Sequence, residues 1–202
     1  MNTRHHMTGA ELQTYREAAG LTREALGELV EVAARTVKHW ETREGAAVPA
    51  DVQAIARSAA QWVREAAAEL LARELERQRK GESYQVHHIG EQFPRLIPGL
   101  AMGAPVLIRY RETAHMPASD RAQGVRADVH GAMVARLTMG LADSGTAARV
   151  VWFDPLAFDT WRSQGNQADT PNTRAVWAAQ TARRAPIPHP QDQPPPAHTP
   201  QG

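Results

Sequence analysis

The sequence predicts a mainly α-helical protein with a small α+β part and a tail that lacks regular structure. Across residues 8–80, apolar side chains recur at steps of three and four, which is the periodicity of helices that pack on a core. Two runs rich in β-branched residues, 106–110 and 147–153, flank another helical pattern and predict two strands. Residues 165–202 are rich in proline and poor in large apolar side chains, so we expect a disordered tail.

The composition excludes several classes of site. The chain has 202 residues, 42% of them hydrophobic, which suits one or two modest domains. It has no cysteine, so disulfides, thiolate zinc sites and cysteine nucleophiles are excluded. Because 23 basic residues are matched by 22 acidic ones, a nucleic-acid surface would need a local asymmetry of charge. No apolar run approaches the roughly 20 residues of a membrane span, and we expect a cytoplasmic protein without membrane contact.

The first helix has clear local start and stop signals. Thr8 and Glu11 stand at the spacing of a capping box, in which each side chain accepts a hydrogen bond from the other residue's backbone N–H. Apolar residues then follow at helical spacing, and Gly20 is typical of a helix C-terminus. Residues 1–6 (MNTRHH) are mostly polar, and residues 1–7 are expected to be a flexible extension.

Two more helices follow closely. Thr22 is placed to cap the second, and residues 32–40 (VAARTVKHW) predict a third helix with two unlike faces. Val37 and Trp40 lie on its apolar face and are expected in the core. The donors on the opposite face are Arg35, Lys38 and His39. Two short helices, a tight turn and an amphipathic helix with exposed donors are typical of a helix-turn-helix, although an ordinary surface helix would also have two faces.

Residues 21–41 (LTREALGELVEVAARTVKHWE) resemble, without gaps, the helix-turn-helix of the phage-repressor type, also called XRE/Cro-like. The sequence departs from the family pattern at Glu31, where the family usually has glycine in the turn. Residues 7–70, and more patchily the chain up to residue 164, resemble the autoregulatory repressors associated with anti-CRISPR operons of phages and mobile elements. That resemblance implies an N-terminal DNA-binding domain and a C-terminal dimerisation domain.

The resemblance also implies roles for individual residues of this domain. The positions that face DNA bases are Ala34, Arg35 and His39. The positions that meet the phosphate backbone are Arg23, Lys38 and Arg43. Arginine side chains suit both tasks, because they pair with phosphate oxygens and with guanine acceptors. The alternative for Arg23 and Arg43 is ion pairing with Glu24, Glu28 or Glu41 on a solvated surface.

Residues 51–80 contain neither proline nor glycine and predict a helix about 45 Å long. The DNA-binding domain predicted at residues 8–80 includes this helix, which is long for a helix-turn-helix unit of about 60 residues, so its second half should pack on something else. Residues 81–164 combine loops, the two strands and two helices into a small α/β unit. Because this unit would bury a poor core alone, we expect it to pack on the long helix or on a second copy, as a dimerisation domain.

A search for chemistry yields no catalytic constellation. The nucleophile motif GxSxG and the zinc motif HExxH are both missing from the sequence. His87, His88 and Glu91 form an HHxxE pattern, but nothing fixes their geometry and no third ligand stands nearby, so we predict no metal site. We accordingly expect no cofactor and no enzyme activity.

The patterns and the resemblance together predict a homodimeric repressor that binds an inverted repeat in double-stranded DNA and regulates its own operon. Whether RNA is a further partner stays open. One alternative is a helix-turn-helix antitoxin that neutralises a partner toxin. Another is a small enzyme in residues 82–164 with a regulatory DNA-binding appendage.

Overall fold

The computed structural model describes residues 7–81 and 105–184. The elements of the first range are α1 (Gly9–Ala18), α2 (Arg23–Leu29), α3 (Ala34–Thr42) and α4 (Ala50–Arg79). The elements of the second range are β1 (Val106–Arg109), a 3-10 helix (Thr113–His115), α5 (Ala118–Ala122), α6 (Ala127–Asp143), β2 (Arg149–Trp152), α7 (Pro155–Gln164) and α8 (Pro171–Arg184). The predicted fold class, mainly α-helical with a small α+β part, is confirmed.

The first two helices begin where the sequence predicts. The Thr8 hydroxyl accepts from the Glu11 backbone N–H at 3.2 Å, and the Glu11 carboxylate accepts from the Thr8 N–H at 2.7 Å. The Thr22 hydroxyl accepts from the Ala25 N–H at 3.1 Å and caps α2. Each cap satisfies a backbone donor that has no partner within its helix.

The turn between α2 and α3 is tight and places Glu31 in an unusual conformation. Glu31 has φ of 56°, in the left-handed region that favours glycine. The Val32 N–H donates to the Gly27 carbonyl at 2.8 Å and closes the turn. A Cβ on Gly27 would lie 2.6 Å from the Val32 carbonyl oxygen, so this position of α2 has no room for a side chain.

Helices α1 to α3 and the first half of α4 enclose one hydrophobic core, in which Leu12, Leu26 and Val37 are fully buried. Met7 belongs to this core and its backbone N–H donates to Gln53 Oε1 at 3.4 Å. The flexible extension predicted for residues 1–7 therefore does not include Met7, because the thioether side chain fills a place in the core. Residues 1–6 lie outside the described residues.

The second half of α4 packs on α6 of the same chain. Val63 of α4 is buried in a cluster with Leu107 of β1 and with Met133 and Leu137 of α6. The predicted need of α4 for a further packing partner is thus met within one chain. This contact joins the N-terminal helices to the C-terminal unit.

The C-terminal unit contains a parallel two-stranded sheet with α6 as its crossover helix. Val106 pairs with Arg149 and Arg109 pairs with Trp152 at the ends of the register. β1 is buried on both faces, because Leu107 contacts the α4–α6 cluster while Val106 and Ile108 contact the core next to α8.

Helix α8 lies inside the segment 165–202 that the sequence predicts to be disordered. Its Trp177 is buried between Phe153 and Phe158, and the ring centroids lie 5.5 and 6.0 Å apart. Most other buried residues of α8 are alanines, which give a weak hydropathy signal yet pack closely on the sheet. The C-terminal unit therefore extends past the predicted boundary at residue 164 to residue 184, and the prolines from Pro186 onward lie outside the described residues.

The start of α8 is fixed by a buried cation. The Arg174 guanidinium donates to both carboxylate oxygens of Asp169 at 2.7 Å and to the His115 carbonyl at 2.6 Å. Its central carbon also lies 4.5 Å from the centroid of the Phe153 ring. A bidentate ion pair over an aromatic face is a geometry that arginine can satisfy and lysine cannot.

Candidate nucleic-acid interface

The two faces of α3 lie as the sequence predicts. Val37 is fully buried, and Trp40 is partly buried against the same core. On the opposite side Arg35, Lys38 and His39 are exposed, and within residues 7–81 and 105–184 none of these three side chains has a hydrogen-bond or ion-pair partner. α3 therefore presents a row of long, unpaired donors to solvent.

The first residues of α3 are also accessible. The helix begins at Ala34, which is half-buried, and Ala33 at its N-cap supplies no side-chain acceptor for the first backbone N–H groups. These N–H groups carry the positive end of the helix dipole. Because residues 34–40 include no acidic side chain, the exposed face of α3 is locally electropositive in a chain of nearly balanced charge.

The one acidic residue of α3, Glu41, is buried and paired with two arginines. Its side chain is 0% exposed and accepts from Arg16 Nε at 2.6 Å and from Arg23 Nε at 2.7 Å. Arg16 also donates to the Leu21 carbonyl at 2.8 Å. These contacts tie α1, α2 and α3 together, and they remove the one negative charge that α3 would otherwise show to a nucleic acid.

From the sequence, Glu41 was expected only as a solvated partner for nearby arginines, and Arg16 had no predicted role. The available signal was the position of Glu41 directly after Trp40, at the end of the segment that resembles the helix-turn-helix. A carboxylate at a fixed place after a core tryptophan indicates a structural role, but its partner Arg16 lies 25 residues away and no local pattern points to it.

The residues predicted to meet phosphates divide into two groups. Arg23 is paired with Glu41, which is one of the alternatives that the sequence left open for it. Its side chain is still 35% exposed, and its Nη atoms are not engaged by Glu41 in the contact through Nε. Lys38 and Arg43 are exposed and have no ion-pair partner in the described part of the chain.

The helices around α3 are held against the C-terminal unit. Arg126 Nη1 lies 2.6 Å from Glu28 Oε2, and Val129 of α6 contacts the N-terminal core. A Cβ on Gly20, where φ is 76°, would lie 2.6 Å from the Asp128 carbonyl oxygen. The turn between α1 and α2 therefore sits directly on the start of α6, so α3 has a fixed direction relative to the C-terminal unit.

The family model described as "Helix-turn-helix domain" matches residues 8–59. Residues 8–59 are a helix-turn-helix domain. The match runs from the cap of α1 into the first half of α4 and agrees with the predicted phage-repressor type. The match supports a DNA-binding role for this domain. None of the curated proteins compared with the chain matches it, so the narrower resemblance to anti-CRISPR-associated repressors remains a hypothesis.

The helix-turn-helix domain, like the rest of the described chain, shows no cluster of three or more histidine, aspartate or glutamate side chains that could hold a metal ion. His87, His88 and Glu91 lie outside the described residues. Nor does any helix described in residues 7–81 and 105–184 have the length and apolar character that crossing a membrane requires.

One histidine of the C-terminal unit is buried. His130 is 1% exposed, its ring meets Tyr110 edge to face at 5.1 Å, and its Nδ1 has no hydrogen-bond partner among the described residues. Burial lowers the pKa of His130 from 6.5 to about 4, with a smaller contribution from the Arg109 charge. The imidazole is therefore neutral at physiological pH and acts as a packing residue.

An open groove of about 650 Å³ follows the carboxyl ends of β1 and β2. Its lining includes Trp152, Trp161, Trp177, Glu112 and His115. The nearest approach of His115 Nδ1 to Glu112 Oε2 is 4.0 Å, and the described lining contains no hydrogen-bonded pair of nucleophile and base. The groove therefore does not favour the enzyme alternative.

Proposed function

We propose that this protein is a sequence-specific transcriptional repressor that reads double-stranded DNA with α3. The supporting observation is the exposed row of Arg35, Lys38 and His39 on a helix whose opposite side, through Val37, is fully buried in a helix-turn-helix core. Long donors on a rigid helix can enter the major groove without disturbing the fold that holds them.

Each residue of the interface has a proposed role. Arg35 and His39 donate to acceptors on base edges, and Ala34 lies close to the bases because its side chain is short. Arg23, Lys38 and Arg43 bind phosphates and fix the register of the helix on the duplex. Val37 and Trp40 hold α3 in the core, so they affect binding only through the fold. The proposal includes no cofactor and no catalytic step, and it leaves RNA binding open.

The proposed active form is a homodimer on an inverted repeat, from which the protein would repress its own operon. A single recognition helix reads only about four or five base pairs, which is too little to select a site in a genome. Two copies related by a two-fold axis would read half-sites whose centres lie roughly 34 Å apart, or a multiple of that distance. Because the second half of α4 packs on α6, the long helix does not need a second copy as its packing partner. The proposed dimer therefore depends on the small number of base pairs that one recognition helix can read.

A gel shift of the full chain against DNA from upstream of its own gene tests the proposal. We expect Arg35→Ala and His39→Ala each to weaken binding by about 1–3 kcal/mol, or roughly 5- to 150-fold, with an unchanged melting temperature. The matched control is Arg64→Ala, which removes an exposed arginine of α4 beyond residues 8–59. Equal affinity of Arg35→Ala and Arg64→Ala for this DNA would contradict the assignment of α3 as the reading element.

A further inference from the structure

The outer edge of β2 carries an exposed apolar patch. Val150 and Trp152 of β2 are each 44% exposed, and Leu156 at the start of α7 is 77% exposed. These three are half of the large hydrophobic residues exposed in the described part of the chain. Val150 and Trp152 lie two residues apart and therefore on one face of β2, and neighbouring exposed apolar residues of this kind indicate a surface that binds another protein.

The same edge has unpaired backbone groups. The Arg149 N–H donates to the Pro105 carbonyl at 2.6 Å and the Phe153 N–H donates to the Arg109 carbonyl at 2.8 Å, so odd-numbered residues of β2 face β1. Because backbone groups alternate along a strand, the N–H and C=O groups of Val150 and Trp152 point away from β1. No described residue pairs with them.

Trp152 is held in place on this edge. The guanidinium carbons of Arg109 and Arg111 lie 5.0 and 4.8 Å from its ring centroid. Trp152 is paired with Arg109 in the register, and the Arg109 side chain lies against Gly131 of α6. The indole is therefore fixed on the α6 side of the sheet before any partner arrives, which lowers the entropy cost of binding.

We propose that the partner is a second copy of this chain, whose β2 pairs with β2 in the antiparallel direction across a two-fold axis. The inference rests on the proposed function, in which the repressor is a homodimer. The two sheets would become one continuous sheet, with the recognition helices of the two copies related by the same axis.

The open groups of β2 fix the register. With the axis at Val151, Val150 lies opposite the partner's Trp152 and each outward N–H meets an outward C=O of the other copy. The side chains of Val150 and the partner's Trp152 share one face of the sheet, where aromatic and β-branched residues pair well. With the axis at Val150 or at Trp152 instead, the other of these two residues would lie opposite a residue outside β2.

The chemistry of the edge favours a second copy. Exposed edge strands of monomeric proteins usually carry a charged side chain, a proline or a bulge that prevents pairing. Neither Val150 nor Trp152 provides such protection, and the register of β1 with β2 is continuous from residue 149 to residue 152. Arg149 is the charged residue of β2, and its guanidinium donates to the Ala182 carbonyl of its own chain. A strand that is complementary to itself can pair with the same strand of a second copy, and a second copy is present wherever the protein is present.

A cysteine cross-link tests the register directly, because the chain contains no cysteine. Opposed residues of a non-hydrogen-bonded antiparallel pair have Cα atoms about 4.5 Å apart, which is within the range of a disulfide. Val151→Cys should therefore form a covalent dimer under mild oxidation. Ser58→Cys, on the exposed side of α4, is the control and should stay monomeric on a non-reducing gel.

Charge exchange across the axis gives a second test. Val150→Lys and Trp152→Glu should each be monomeric by analytical ultracentrifugation, since each places a charge against an apolar partner. An equimolar mixture of the two should form a heterodimer, because Lys then lies opposite Glu. Both substituted positions are exposed, so each substitution should leave the fold of the monomer and its thermal melting profile unchanged. Should either variant fail to fold, amide exchange on the unmodified protein decides: Val150 and Trp152 should exchange slowly in the dimer and fast on dilution.

Failure of the inference is distinguishable from failure of the proposed function. If the protein is a dimer that binds an inverted repeat, but Val151→Cys does not cross-link and both charge variants stay dimeric, the interface lies elsewhere and the inference is wrong. A monomer in solution overturns both it and the proposed dimer. If β2 pairs as described and the upstream DNA is not bound, the inference stands and the proposed function fails.

Discussion

Removing the charge of Glu41 should destabilise the DNA-binding domain more than any exposed substitution on α3. Glu41→Gln keeps the shape of the side chain but removes the buried counter-charge of the Arg16 guanidinium, which is 8% exposed. The remaining carboxylate partner of Arg16 is Glu17, at 3.3 Å and 57% exposed. Breaking a buried ion pair from one side costs about 3–5 kcal/mol, and we expect the lower end because glutamine can still accept one hydrogen bond. That is a large part of the 5–15 kcal/mol that typically stabilises a domain.

The matched control is Arg23→Gln, which removes the other partner of the same carboxylate. Since the Arg23 side chain is 35% exposed, water screens this pair and its loss should cost roughly 0–1 kcal/mol. Urea denaturation of each variant gives the free energy of unfolding, with an unchanged m-value expected. Equal losses for Glu41→Gln and Arg23→Gln, or a loss below about 1 kcal/mol for Glu41→Gln, would refute the structural role assigned to Glu41.

Three further predictions concern stability. Glu31→Gly should raise the free energy of unfolding by about 1 kcal/mol, because glycine adopts the left-handed φ of 56° without strain; thermal melts should show no such gain for Glu31→Ala. His130 has a pKa of about 4 in the folded chain and 6.5 in the unfolded chain. As the pH drops through this window, the unfolded chain binds a proton and the folded chain does not, so the free energy of unfolding falls. Urea titrations should show that the free energy of unfolding falls between pH 7 and pH 5 by about 2 kcal/mol more in the wild type than in His130→Phe. Equal decreases in the two proteins would contradict the buried neutral imidazole. Trp177→Ala should cost roughly 3–5 kcal/mol by the same titration, whereas Met139→Ala, at a 65% exposed position, should cost little; similar costs would mean that α8 does not form part of the core.

The sequence predicted most of what depends on neighbouring residues. Thr8, Glu11 and Thr22 cap the helices that they were expected to cap, because capping is a contact between residues three apart. The two strands carry their own periodicity and were predicted within two residues at their ends, with a helix between them. The outward face of α3 follows from the same periodicity, whereas its contact with DNA remains a proposal.

The features that sequence reasoning missed depend on residues far apart in the chain. The burial of Glu41 needs Arg16 on another helix, and the order of α8 needs Phe153 and Phe158 as a surface for Trp177. An alanine-rich helix before a proline-rich tail has too little hydrophobicity of its own to indicate that it packs. The second half of α4 did need a partner, but the choice between α6 and a second copy required the tertiary structure.

A hydroxyl-radical footprint of the full chain on the DNA upstream of its own gene tests the central claim most directly. If α3 reads DNA in a symmetric dimer, the footprint will show two protected patches related by an inverted repeat, with centres roughly 34 Å apart or a multiple of it. The protection should weaken steeply with added salt, since Arg23, Lys38 and Arg43 of each copy would displace counterions from phosphates. A single asymmetric patch, or no protection at low salt, would contradict the account.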